Sequence, residues 1–118
     1  LSILAAKLGA KKIIAIDNDD WSIENAKENF LQNGCDKIEL SKASKIPNGN
    51  FDIILANINK NVILENFSMA NSLSNGVLVI SGLLAKDEKE ILDEASKYSL
   101  KKIKSTEQNG WICIRFAR

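Results

Sequence analysis

The chain has 118 residues, of which 45 % are apolar and 26 % charged, room for one modest core and an ordinary composition for a soluble globular protein. Sixteen basic against fifteen acidic side chains leave a formal charge of +1. That gives no electrostatic reason to expect a nucleic-acid or membrane surface, and no apolar run approaches the ~20 residues of a membrane span. Histidine is absent, which excludes histidine triads and the usual zinc sites on inventory alone.

In chain order, Leu1 to Leu8 places Leu1, Leu4, Ala5 and Leu8 on one helical face, and Gly9 suits a left-handed end. Lys12 to Ile16 is a short β-branched run of the kind buried on both faces of a parallel sheet. It stops at Asp17, and Asp19 is placed to cap a helix running to about Asn33, with Ile23, Ala26, Lys27 and Phe30 inward. Lys37 to Leu40 reads as a second strand, Pro47 to Asn50 as a turn and Phe51 to Ala56 as a third strand. Val62 to Leu73 reads as a helix capped by Asn59 or Asn61. Gly76 to Ser81 is a fourth strand, and Ala85 to Tyr98 an amphipathic helix with Ile91, Leu92, Ala95 and Tyr98 inward. Lys101 to Ser105 and Trp111 to Phe116 close the chain as a hairpin around Asn109-Gly110.

Strands alternating with helices predict a mostly parallel α/β sheet with helices on both faces, and the last two strands are too close for a crossover and must be antiparallel. No linker or repeat interrupts the pattern, so residues 1–118 read as one domain. Trp21, Trp111, Phe30 and Phe51 are expected to be buried or partly buried packing, Cys113 an inert core thiol, and Lys86 to Glu90 and Lys101-Lys102 solvated faces. Cys35 and Cys113 match no metal or redox spacing, and two lone thiols without a signal peptide fit a reducing cytoplasm.

The most informative feature is Asp17, an acidic residue at the carboxyl end of a buried strand, where doubly wound folds hold a ribose by its two hydroxyls. This plan resembles the Rossmann-like, seven-stranded class I S-adenosylmethionine-dependent methyltransferases, whose last strand is antiparallel. Within that class it is most similar to the PrmA family, which methylates protein eleven of the large ribosomal subunit. Four segments carry the resemblance. Residues 1–10 look like the helix after the family's glycine loop. Ile-Ala-Ile-Asp-Asn-Asp-Asp (14–20) looks like its ribose-binding strand end, with Asp20 where proline is usual. Glu24-Asn25-Ala26 through Asn33-Gly34 looks like its second helix, and Phe51 to Ile58 looks like its motif at the reactive centre. On this resemblance Leu1 falls just after the expected Asp-x-Gly-x-Gly-x-Gly segment. The sheet is then truncated before its glycine-rich loop, with its first strand missing, and residues 1–118 are the C-terminal part of a single catalytic domain.

The resemblance implies S-adenosylmethionine as cofactor, contacted by Asp17, Asn18, Ala43, Ser44 and Asn57. It also implies a large-subunit ribosomal protein as substrate, while the balanced charge and the lack of a long apolar run point away from a nucleic-acid or membrane partner and the lone thiols point to a cytoplasmic location. Asn57 and Ile58 are the expected catalytic pair. Methyl transfer to nitrogen needs a neutral amine with its lone pair aimed at the methyl carbon, and Asn57 Oδ1 with the Ile58 carbonyl can accept the amine hydrogens without a strong base. Against these roles stand plainer ones, in which Asp17, Asp19, Asn57 and Asn59 only cap helices and Ser44 only forms a turn. An RNA or small-molecule methyltransferase, a nicotinamide-dependent oxidoreductase served by the same Asp17, and an inactive Rossmann-like fragment remain as alternatives.

Overall fold

The computed structural model describes all residues, 1–118, and these divide into two compact units, Leu1–Ile46 and Pro47–Arg118. In the first unit, α1 (Ser2–Lys7) precedes β1 (Ile14–Asp17), α2 (Asp20–Gln32) and β2 (Glu39–Lys42). The two strands pair in parallel, Ile14 opposite Glu39 and Asp17 opposite Lys42, so both carboxyl ends lie at one edge. The start of α2 is fixed by Asp19, whose Oδ2 accepts a hydrogen bond from the Ser22 amide at 2.8 Å. The buried residues of this unit are Ile23, Cys35 and Ile38.

The second unit holds β3 (Phe51–Asn57), α3 (Lys60–Glu65), a 3₁₀ segment (Phe67–Ser72), β4 (Leu73–Leu84), a short 3₁₀ turn (Ala85–Asp87), α4 (Glu88–Lys97), β5 (Lys101–Gln108) and β6 (Trp111–Ala117). Its four strands form one sheet in the order β3-β4-β6-β5, with β3 parallel to β4 and both other pairings antiparallel. Ladder partners Ile54 and Leu78, Ala56 and Ile80, Leu78 and Phe116, and Ile80 and Ile114 are all buried. They share one face of the sheet, and with Ile63, Phe67, Met69, Ala70, Ile91 and Ala95 from the helical segments they form the core. At the entry of β3, Gly76 passes directly beneath the Asp52 carbonyl. A Cβ there would overlap that oxygen, so the close approach of the two strands needs a glycine. On edge strand β5 almost every residue is exposed. Lys101, Lys102 and Lys104 stand along it, a charge pattern that discourages pairing with another strand.

Several sequence expectations are corrected. Residues Val62 to Leu73 are not one helix. The helix ends at Glu65, where the Asn66 side chain donates to the Val62 carbonyl at 2.9 Å, and the chain tightens to 3₁₀ geometry. Strand β4 runs well beyond Gly76 to Ser81 in both directions. Neither β1 nor β3 is buried on both faces: Ile53 and Leu55 on β3 are exposed, Ile53 by 62 %. In α1 no residue is buried, and Leu1, Leu4 and Leu8 are exposed. Trp21 and Trp111 are exposed by 74 % and 56 %, and Cys113 is half-buried rather than in the core. No helix is long and apolar enough to cross a membrane.

The cap gives a pH-dependent prediction. Hydrogen bonds from the Ser22 amide, then its hydroxyl, hold the Asp19 carboxyl below its usual range, with a smaller contribution from Lys42. A depressed carboxylate stabilises the fold fully above its unfolded value and loses that contribution as pH falls through the folded one. Asp19→Ala is therefore expected to lower Tm at pH 7, and the gap to wild type should close as pH drops below about 4. A gap that stays constant down to acid pH would show that the charged cap is not what the substitution removes.

Candidate active site

Each unit presents its expected site residues at the carboxyl ends of parallel strands, the edge at which open α/β sheets bind ligands. In the first unit, Asp17 is the last residue of β1 and is exposed. Its Oδ1 accepts a hydrogen bond from the Asp19 amide at 3.0 Å, which fixes the carboxylate and leaves Oδ2 without a partner from the chain. The Ala43 amide donates to the Asp17 carbonyl at 2.9 Å, extending the β1–β2 ladder past Lys42. Asp17, Asn18, Ala43 and Ser44 are thus brought to one edge, with Asn18 and Ser44 exposed and Ala43 half-buried. Lys42, next to the site, is paired with Asp20 at 2.8 Å. An anchored carboxylate with an open oxygen at a strand end fits the two hydroxyls of a ribose. Asp19, by contrast, is committed to its helix.

In the second unit, Asn57 closes β3 opposite Ser81 of β4 and is exposed, as is Ile58. The Asn57 side chain makes no hydrogen bond within the chain. The Asn59 side chain accepts from the Val62 amide at 3.1 Å and caps α3. This separates the two asparagines: the Asn59 side chain is used by the helix, and the Asn57 amide has no partner within the chain.

Two features of this region were not read from the sequence. Lys60, the first residue of α3, pairs with Glu90 at 2.9 Å and Asp87 at 3.3 Å. Those carboxylates, Glu90 foremost, hold its ammonium above its usual range. Asp87 is only 12 % exposed and also accepts from the Leu84 amide at 3.2 Å. Part of the segment expected to be a solvated charged face is therefore a tie between the chain leaving β3 and the chain leaving β4. The second feature is Gly82, at an irregularity of β4 between Ile80 and Leu83. A glycine between the apolar pairs Val79-Ile80 and Leu83-Leu84, separated from the first only by Ser81, is the available signal for such a feature.

A parallel β–α pattern closed by an antiparallel hairpin, with an acidic residue ending one strand and an asparagine ending another, defines the fold of Rossmann-like methyltransferase domains. A solved S-adenosylmethionine-dependent methyltransferase from Aquifex aeolicus shares that fold at a TM-score of 0.68 and 20 % identity, over 97 % of this chain and 72 % of that one. The family model described as ribosomal protein L11 methyltransferase (PrmA) matches residues 1–118, and the chain belongs to that family. The ribosomal protein L11 methyltransferase of Bacteroides thetaiotaomicron is 37 % identical over 121 aligned positions, covering 98 % of this chain and 43 % of the relative. The crystal structure of a ribosomal protein L11 methylase from Lactobacillus delbrueckii subsp. bulgaricus superposes at a TM-score of 0.94 with 31 % identity, over 99 % of this chain and 63 % of that one. The chain spans less than half the length of the curated relatives it matches.

Proposed function

We propose that the full-length protein transfers a methyl group from S-adenosylmethionine to an amine nitrogen of ribosomal protein L11 in the cytoplasm, and that both units belong to a single catalytic domain. Family membership over the whole of residues 1–118 carries this reading. The side chains supply the chemistry it requires. S-adenosylmethionine contributes an electrophilic methyl on a sulfonium. Asp17 binds and orients, its anchored carboxylate accepting from the two ribose hydroxyls, with Asn18, Ala43 and Ser44 bordering the adenosine. Asn57 Oδ1 and the Ile58 carbonyl accept hydrogens from the neutral acceptor amine and so aim its lone pair. No residue is asked to act as a strong base, because the two acceptors only orient an amine that is already neutral.

The test is cofactor binding by the full-length protein, measured calorimetrically. Charge-assisted hydrogen bonds contribute about 1.5–3 kcal/mol each. Asp17→Ala is therefore expected to weaken S-adenosylmethionine binding at least ~10-fold, whereas Asp19→Ala should leave it within about twofold. Equal affinity for wild type and Asp17→Ala would remove Asp17 from the site, and a full-length protein that binds the cofactor but never methylates ribosomal protein L11 would overturn the substrate.

A further inference from the structure

We propose that Gly82 is a positioning residue for the acceptor pair Asn57–Ile58, and that it works by having no side chain. The inference rests on the role given to that pair above. Gly82 follows Ser81, the ladder partner of Asn57, and has a left-handed backbone with φ +82°. A Cβ at this position would lie 2.8 Å from the Ile58 carbonyl oxygen, 2.9 Å from Asn57 Oδ1 and 3.2 Å from the Ile58 amide nitrogen. The first two are the atoms assigned to receive the amine hydrogens. The other three left-handed glycines, Gly9, Gly34 and Gly110, have open space where a Cβ would go. Crowding at Gly82 is therefore a property of this place in the fold and does not follow from the backbone conformation.

The crowding matters because the backbone that carries both atoms cannot retreat freely. Asn57 is held in the ladder by β4, Asn59 is tied to the first turn of α3, and Lys60 is clamped to Asp87 and Glu90. The segment from Asn57 to Lys60 is thus fixed at both ends. A side chain at position 82 would have to be absorbed between them, by turning the Asn57 amide or rotating the Ile58 peptide. No hydrogen bond within the chain holds the Asn57 side chain, so a Cβ at position 82 would meet Oδ1 with no other contact to keep it in place. A displacement approaching 1 Å in a positioning group can cost on the order of 10²-fold in rate.

The experiment compares Gly82→Ala with Gly110→Ala in the full-length protein. Gly110 has φ +81°, so the second variant puts a side chain at a matching positive φ with no contact. We expect Gly82→Ala to lower kcat for ribosomal protein L11 methylation by roughly 10- to 100-fold, with S-adenosylmethionine affinity within about twofold. Gly110→Ala should lose thermal stability while keeping kcat within about twofold of wild type. In an Asn57→Ala background, Gly82→Ala should cost distinctly less than it does in the wild type, because one of the groups it displaces is already gone. If Gly82→Ala does not fold, Gly82→Asn carries the same Cβ on a residue that tolerates the left-handed region and takes its place.

Equal kcat for the Gly82 and Gly110 variants, or losses that multiply in the double variant, would overturn the positioning role. A protein that folds with no residue but glycine at position 82 would overturn it too, by making the requirement structural. Failure of the underlying reading looks different, because Asn57→Ala alone would then turn over at the wild-type rate.

Discussion

Asn57→Ala in the full-length protein should cut turnover on the order of 10²-fold while leaving S-adenosylmethionine affinity within about twofold. The expectation comes from what the amide does and what it leaves undone. Its side chain caps no helix, since that work falls to Asn59, and it makes no hydrogen bond within the chain. An exposed amide at the carboxyl end of β3 contributes little to folding, so its removal should be felt in the reaction. Nitrogen attacks the methyl carbon in line, and an amine held by a single acceptor can rotate its lone pair away. Asn59→Ala is the control two residues along. It should cost about 1 kcal/mol of stability through loss of the α3 cap and leave kcat unchanged. Single-turnover assays with saturating cofactor separate the two. If both variants methylate at the wild-type rate, Asn57 has no part in catalysis. If both slow equally, the effect lies in the loop's fold and not in the amide.

The order and type of the elements were legible because strands and helices here differ in period and are punctuated by residues with local reasons to be where they are. Asp19 caps α2 as its position suggested, and Asn109-Gly110, both with positive φ, turns the closing hairpin. The strand ends holding Asp17 and Asn57 could be located for the same reason. Other features depend on contacts that sequence period does not encode. Asn66 sits within an apolar pattern that suits a long helix, yet its side chain bonds the Val62 carbonyl and the helix stops there. Gly76 and the residues after Ser81 looked like strand boundaries, whereas Gly76 and Gly82 are places inside β4 where another backbone comes close. The exposed Leu4, Ile53 and Trp21 make a related point. Apolar spacing marks which side of an element favours burial, but what covers that side is decided by other parts of the structure. Lys60 and Asp87 are far apart in sequence, and charge patterning within one helix does not reveal such a pair.

Phe116→Ala should be the most damaging single truncation in the second unit, lowering stability by about 3–5 kcal/mol. The ring is completely buried on β6, with Leu78 of β4 as one ladder partner and Lys102 of β5 as the other. It lies on the same face of the sheet as Ile80 and Ile114, each also fully buried. Removing it takes away apolar area and opens a void at the junction of three strands, where hydrogen-bonded ladders limit how far the surroundings can collapse. The loss should appear as a lower urea midpoint, read by a probe within residues 47–118. Ile103→Ala on the exposed face of β5, a similar chemical change, should fall within about 0.5 kcal/mol of wild type. The two variants together test whether this sheet is stabilised from one face. A small loss at Phe116, or a comparable one at Ile103, would mean that the face bearing Ile54, Leu78, Ile80, Ile114 and Phe116 is not the one that holds the unit together.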